Sequence, residues 1–272
     1  MGQSKSVVQT ITDYDQQLTK RRANEAFDVE AWYKLIQDQT FPTQFIPISP
    51  AIAQAFVHFI QTRYTTTKSL DSHDTQLIEF IEKQLKEQVF NSTTKHCFIR
   101  LSARSPKDGR PLNTQITNEI YQQKLTELQS TFANEYDTVK GKANMQSIAS
   151  YYAQFHSLKV TNEIETLNLI LSSERIYHDL NEVLDCYKVN SNWNNHIIIR
   201  EWNNQLDPSM EFRCFVYQSQ LTAISQYNHY CKYYHLQNVN TVQKIKITII
   251  QYWKNTIQPL FDPFPGKYAN YV

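Results

Sequence analysis

The chain has 272 residues, with 27 basic against 26 acidic side chains and a formal net charge of +1. That near balance argues against a broadly basic nucleic-acid binder, and no DNA partner is expected. With only four glycines there is no Gly-x-Gly-x-x-Gly and no Walker-type loop, so the usual glycine-rich phosphate cradles are absent. The hydrophobic share of 41% and aromatic share of 13% can fill one large domain or two lobes. Cys97, Cys186, Cys214 and Cys231 are widely spaced without a Cys-x-x-Cys, which fits reduced, buried thiols of an intracellular protein better than a disulfide frame or a zinc site. No apolar run reaches membrane-spanning length and no signal peptide is visible, so a cytoplasmic protein without stable membrane insertion is expected.

Residues 1–28 read as a polar N-terminal segment. Met1-Gly2-Gln3-Ser4-Lys5-Ser6 fits the N-myristoylation pattern, but so short a match is read as an ordinary polar start. Glu30 to Phe45 contains Trp32-Tyr33 and leads into Phe45-Ile46-Pro47-Ile48. Ser49 as N-cap and Pro50 in the first turn open a helix to about Thr62, with Ile52, Phe56, Phe59 and Ile60 at helical spacing. His58 in it reads as a surface or core histidine, not a ligand. After a polar loop over Thr65–Ser72, His73 to Phe90 is a second amphipathic helix with Leu77, Ile78, Ile81, Leu85 and Val89 on one face.

Cys97 to Leu101 is a short apolar strand carrying Arg100. The loop after it, Ser102 to Arg110, is dense in cations and hydroxyls. It could hold phosphate, although alone it reads as an exposed turn. Thr117 to Tyr136 is helical. Asp137 to Gln146, with Gly141, is expected to be a loop or insertion, and the next helix to begin near Ser147 as N-cap and run through Tyr151, Tyr152 and Phe155. Asn162 to Leu171 is helical again, and Ser172 to Leu180 is a helix end leading into a helix or an extended turn.

The most informative stretch is His196 to Tyr234. It predicts strands over Ile197–Trp202, Glu211–Tyr217 and Leu221–Ser225, with a Gln218-Ser219 turn between the last two. Alternation puts Ile198, Arg200 and Trp202 on one face of the first strand and Glu211, Arg213 and Phe215 on one face of the second. Charges in such strands must be paired or meet a charged ligand. Tyr227 to Asn240 is polar and tyrosine-rich; its rings either stack on a base or, more commonly, cover the core. Thr241 to Gln258 is a helix ended by Pro259, and Phe264 to Val272 looks like the opening of another strand.

Three blocks together resemble the cell division cycle protein 123 family, which has an ATP-grasp fold. They are Trp32-Tyr33 with the Pro47 stretch and the Ser49-Pro50 helix; Arg100-Leu101 through Ser105-Pro106-Lys107-Asp108; and Arg200-x-Trp202, Pro208, Glu211-Phe212-Arg213-Cys214-Phe215-Val216 with Ile224-Ser225-Gln226. The resemblance implies an α+β, ATP-grasp-like fold of two lobes, with a mainly antiparallel sheet and flanking helices. Residues 29–272 would form it: 29–190 as the N-terminal lobe and helices, 191–272 as an incomplete C-terminal lobe. It implies ATP as ligand, with Arg100, Ser105, Lys107, Asp108, Arg200, Glu201, Trp202, Glu211 and Arg213 as candidate contacts. Arg100 stands where the family has lysine, and Arg200, Glu211 and Arg213 are expected to line a cleft facing Arg100 from the other lobe. Mg²⁺ is expected for the full-length protein, with its ligands beyond Val272 and none within this chain, as in a fragment or a degraded relative; the strand-like end favours a fragment.

The resemblance further implies an ATP-dependent assembly chaperone for eukaryotic translation initiation factor 2, binding its gamma subunit. The alternatives are an ATP-grasp ligase, joining carboxylate to amine or joining RNA, and a relative that binds no nucleotide and pairs its arginines with Glu201, Glu211 or Asp207.

Overall fold

The computed structural model describes residues 28–63, 69–90 and 96–261. The possible acylation site at Gly2 and the strand expected over Phe264–Val272 lie outside these residues.

A four-stranded antiparallel sheet organises the first part of the chain. Its strands are β1 (Thr43–Pro47), β2 (Cys97–Leu101), β3 (Lys159–Val160) and β4 (His196–Glu201), in the order β1-β4-β2-β3. β4 is the latest in sequence yet sits between β1 and β2. Its run Ile197-Ile198-Ile199 explains the placement, because all three side chains are buried and an unbroken apolar run suits a strand covered on both faces. The first sheet ends with Glu201 and the second begins at Phe212.

The helices on this sheet start where the sequence signals them. α1 covers Val29–Ile36. α2 covers Pro50–Thr62, with Ser49 Oγ accepting from the Ile52 N–H at 3.3 Å, and it buries Ile52, Phe56, Val57 and Ile60. α3 covers Ser72–Gln88 and is capped by Asp71, whose carboxylate accepts from the Asp74 N–H at 2.7 Å. On it Ile81 and Leu85 are fully buried, and Leu77 and Ile78 pack at the edge of the same core.

The segment expected to be a loop over Asp137–Gln146 is helical from Val139 onward. α4 (Thr114–Thr131) and the short α5 (Ala133–Tyr136) lead to α6 (Val139–His156). Thr138 is the cap, its hydroxyl accepting from the Gly141 N–H at 2.9 Å. Gly141 is a close-approach residue here, not a breaker: a Cβ at this position would lie 1.7 Å from the Glu135 carbonyl oxygen. Ser147 is interior to the helix, where its hydroxyl donates to the Ala143 carbonyl at 2.9 Å.

α7 (Glu163–Leu171) starts at Asn162, and α8 (Glu174–Asn190) at Ser173, resolving Ser172–Leu180 as a helix junction.

The second sheet is a ribbon of β5 (Phe212–Tyr217) and β6 (Gln220–Gln226). The expected Gln218-Ser219 turn joins them, with φ of 47° and 57°. Positive φ at both central residues matches the twist of a tight hairpin, here without the usual glycine or asparagine. The ribbon is followed by α9 (Val239–Tyr252). Pro259 does not end the helical path. Having no N–H to donate, it sits just past a π turn over Trp253–Ile257, and helix resumes as α10 (Gln258–Phe261).

Tyr227–Asn240 mainly covers the core. Cys231 and Tyr233 are buried against Leu128 of α4 and Met145 and Ile148 of α6, and Phe132 stacks on Tyr234 at 4.0 Å between ring centroids.

Candidate functional site

Where the two sheets meet, segments from both parts of the chain line a cavity of about 240 Å³. The end of β4 supplies Arg200, Glu201 and Trp202, and the loop after β2 supplies Lys107. Tyr151, Gln154 and Phe155 come from α6, Glu211 precedes β5, and Tyr227 follows β6. Phe41, Phe98, Leu158 and Leu206 complete a largely apolar wall.

A polar network ties the rim together. Lys107 Nζ donates to the Tyr227 hydroxyl at 2.8 Å, lies 4.2 Å from the centre of its ring, and is 3.6 Å from a Glu211 carboxylate oxygen. The Tyr151 hydroxyl donates to the other Glu211 oxygen at 2.9 Å. These contacts set the two tyrosines apart. Burial and the Glu211 carboxylate push Tyr151 well above the usual tyrosine range. Burial also acts to raise Tyr227, but the hydrogen bond and charge of Lys107, with the charge of Arg213, outweigh it and pull Tyr227 below that range.

Deeper in, two donors lack a partner. Arg200 gives its Nε–H to Thr43 Oγ1 at 3.1 Å and lies over the Trp32 ring at 5.6 Å, yet its Nη2 is buried without a hydrogen-bond acceptor. Burial holds the Arg200 guanidinium below its ordinary pKa. The Trp202 indole N–H is likewise buried and unpaired, although the Trp202 backbone N–H is fixed by the His96 carbonyl at 2.7 Å. Buried donors are seldom left unpaired. Both belong to side chains that line the cavity.

Not all the expected contacts meet here. Arg100 does not face the cleft from another lobe. It is on β2, directly beside β4 in the same sheet, with Arg100 opposite Ile198 and Phe98 opposite Arg200. Its guanidinium folds back on its own loop, donating to the carbonyls of Leu101 at 3.0 Å, Ser102 at 3.2 Å and Ala103 at 2.7 Å. Burial, then the charge of Arg200, lowers its pKa to about 10. Asp108 also faces away: its carboxylate accepts from Ser173 Oγ at 2.5 Å and from the Arg175 N–H at 3.1 Å, at the start of α8. Ser105 is buried in the turn that presents Lys107. Arg213 is exposed outside the cavity, its guanidinium 4.9 Å from the centre of the Tyr227 ring. Lys107, Arg200, Glu201, Trp202 and Glu211 do come together.

Sequence reasoning did not pick out Tyr151, Gln154, Phe155 and Tyr227 as site residues. Only the tyrosine-rich composition after β6 hinted at one of them. Among the described residues no group of three or more His, Cys, Asp or Glu side chains is placed to hold a metal ion.

Fold and site together define an α+β protein with two antiparallel sheets flanking an indole-lined cavity that carries two basic and two acidic side chains. The D123 family model matches residues 32–272, and the chain belongs to that family. A translation initiation factor eIF2 assembly protein of Dictyostelium discoideum is 25% identical over 268 residues, covering 89% of this chain and 65% of the relative. One of Danio rerio is 32% identical over 116 residues, covering 42% of this chain and 32% of the relative. The chain thus spans about two thirds of the first relative's length. Among solved structures, Cdc123 from Schizosaccharomyces pombe matches with a TM-score of 0.52 and 22% identity, over 90% of this chain and 76% of that one. A C-terminally truncated form of the same protein gives 0.52 and 21%, over 93% and 77%. The likeness is one of fold, and the expected α+β class with antiparallel sheets holds.

Proposed function

We propose that this chain is an ATP-binding factor in the assembly of eukaryotic translation initiation factor 2, working in the cytoplasm through that factor's gamma subunit. The names carried by the Dictyostelium and Danio relatives support the assembly role. The observation behind the nucleotide is a cavity lined by Lys107, Arg200 and Trp202, the last two of which also carry buried unpaired donors, Arg200 Nη2 and Trp202 Nε1. The apolar wall of Phe98, Phe155 and Trp202 suits a flat base, and Lys107 suits a phosphate. At about 240 Å³ the cavity encloses only part of a nucleotide; ligand sites commonly span roughly 300–1,000 Å³. Magnesium enters this reading only with the nucleotide, since the described residues supply no set of ligands for it.

A binding role is favoured over ligation because the names of both relatives give assembly and no ligation. Two measurements test the reading. Calorimetric titration of the chain with ATP should give saturable binding that Arg200→Met weakens. Affinity capture with the gamma subunit should retain the chain in the presence of ATP. Absence of ATP binding would remove the nucleotide, and absence of capture would remove the partner.

A further inference from the structure

Lys107 reaches the rim of the cavity from an irregular loop. A lysine is a point charge on a flexible four-carbon stem, and ordering it costs side-chain entropy. Its Nζ nonetheless meets the Tyr227 hydroxyl at 2.8 Å and Glu211 at 3.6 Å. Where the loop backbone stands decides whether it can meet both.

We propose that Asp108 is a positioning residue for Lys107, tying its loop to the junction of α7 and α8 so that the ammonium stands ready at the rim; its consequence for ATP rests on reading the cavity as the nucleotide site. Asp108 does not line the cavity.

The three residues after Lys107 are all fixed to that junction. The Asp108 carboxylate accepts from Ser173 Oγ at 2.5 Å and from the Arg175 N–H at 3.1 Å. Gly109 approaches the end of α7 so closely that a Cβ would lie 2.6 Å from the Leu169 carbonyl oxygen. Arg110 donates its N–H to Ser172 Oγ at 2.8 Å, and its carbonyl accepts from Asn168 Nδ2. Lys107 itself donates its N–H to the Ser105 carbonyl at 2.9 Å, and its carbonyl accepts from Gln154 Nε2 of α6 at 3.3 Å. Ser172 and Ser173 are 9% and 0% exposed, so the junction makes its side of these bonds in the interior.

Capping of α8 accounts for only part of this. Ser173 is already the N-cap, its Oγ accepting from the Ile176 N–H at 3.2 Å. Asp108 comes to that cap from outside the helix, and Gly109 and Arg110 converge on the same junction without capping anything. What the bonds hold in common is the loop. A binding group held in place by such a supporting shell loses less freedom when its ligand arrives.

Tyr227 reports on Lys107, whose hydrogen bond and charge pull its hydroxyl below the usual tyrosine range against burial. Phenolate absorbance, each variant compared with the same variant carrying Tyr227→Phe, reads that contact in the full chain without nucleotide. Asp108→Ala should move Tyr227 upward. The sign separates position from charge, because deleting a carboxylate favours the phenolate and by itself moves Tyr227 downward. Gly109→Ala, which changes no charge but forces the loop off Leu169, should also move it upward, and carries the test alone should Asp108→Ala fail to fold. Asp108→Asn keeps one of the two acceptor oxygens and should move it less than Asp108→Ala. In calorimetry, Asp108→Ala and Gly109→Ala should weaken ATP about three- to tenfold, and Asp108→Asn less. An unmoved or lowered Tyr227, or Asp108→Asn matching Asp108→Ala, would overturn the positioning role. A raised Tyr227 with ATP affinity unchanged would overturn its link to the ligand. Absence of ATP binding in the unaltered chain would instead remove the nucleotide reading, and the Tyr227 titration would still decide the role of Asp108.

Discussion

The two sheets carry similar apolar patterns and end in different states. In the first, Ile46, Ile99, Ile197 and Ile198 are 0–1% exposed, and α2 and α3 seal one face. In the second, only Val216 of the ribbon is buried and α9 has no buried residue. Val242, Ile245 and Ile249 are spaced as regularly as Ile52, Phe56 and Phe59. A hydrophobic stripe states which face wants cover, but not whether this chain supplies it. The first sheet is completed by β4, which returns from late in the sequence into its centre. The ribbon receives no such strand among the described residues.

That contrast is open to a direct attack on stability. Phe56 is fully buried in the first core, and Phe56→Ala should cost about 3–5 kcal/mol in chemical denaturation. Ile245→Ala in α9 removes a similar kind of side chain from a half-covered site, and should cost less than about 1 kcal/mol. Equal losses would mean that α9 is as well packed as α2, and the comparison would fail.

Gly141 marks a close approach of a different kind, between the start of α6 and the short α5 before it. An exposed helical glycine gains about 1 kcal/mol on replacement by alanine. Gly141→Ala should do the reverse, because its methyl would collide with the Glu135 carbonyl. A loss of about 1–3 kcal/mol is expected in the same assay. A stabilised variant would mean that α5 and α6 can separate without cost.

Local signals account for what could be read in advance. Ser49 caps α2 through a bond three residues long, and the stripe from Leu77 to Val89 marks α3, so both were visible in the sequence. Gly141 and Pro259 misled because both have ordinary breaker chemistry whose outcome depends on the surrounding backbone. The site was half legible. Charged residues in apolar strands marked Arg200 and Glu211, while the contacts Lys107–Tyr227 and Tyr151–Glu211 join positions 120 and 60 residues apart. Arg100 did need partners, but found them in three carbonyls of the next turn and not across a cleft.

The two neighbouring arginines make a sharper pair for the same reason. Arg100→Met strips donors from three carbonyls, and should cost about 1–3 kcal/mol of stability with ATP affinity retained. Arg200→Met removes the unpaired Nη2 together with the single bond to Thr43 and the contact with the Trp32 ring, and should cost less stability than Arg100→Met, about 0.5–1.5 kcal/mol, while weakening ATP on the order of tenfold. Denaturation and calorimetry on both variants separate the roles. Exchanged outcomes would assign the ligand contact to Arg100.

The smallest effect reads the seam between the regions, where Lys107 of the first meets Tyr227 of the second. Tyr227 is pulled below the usual tyrosine range despite its burial, so the folded chain releases this proton before the unfolded chain does. Its ionisation therefore contributes stability that is present in full above the unfolded value, about 10, and is lost as pH falls through the lowered folded value. Tyr151 has the opposite sign: burial and Glu211 raise it, so its contribution is present below about pH 10 and is lost as pH rises through its folded value. Phenolate absorbance, titrated against Tyr227→Phe and Tyr151→Phe, should show Tyr227 ionising first. Lys107→Met removes both the hydrogen bond and the nearer charge, and should move Tyr227 upward while the charge of Arg213 remains. An unmoved Tyr227 would mean that Lys107 does not bridge the two regions in solution.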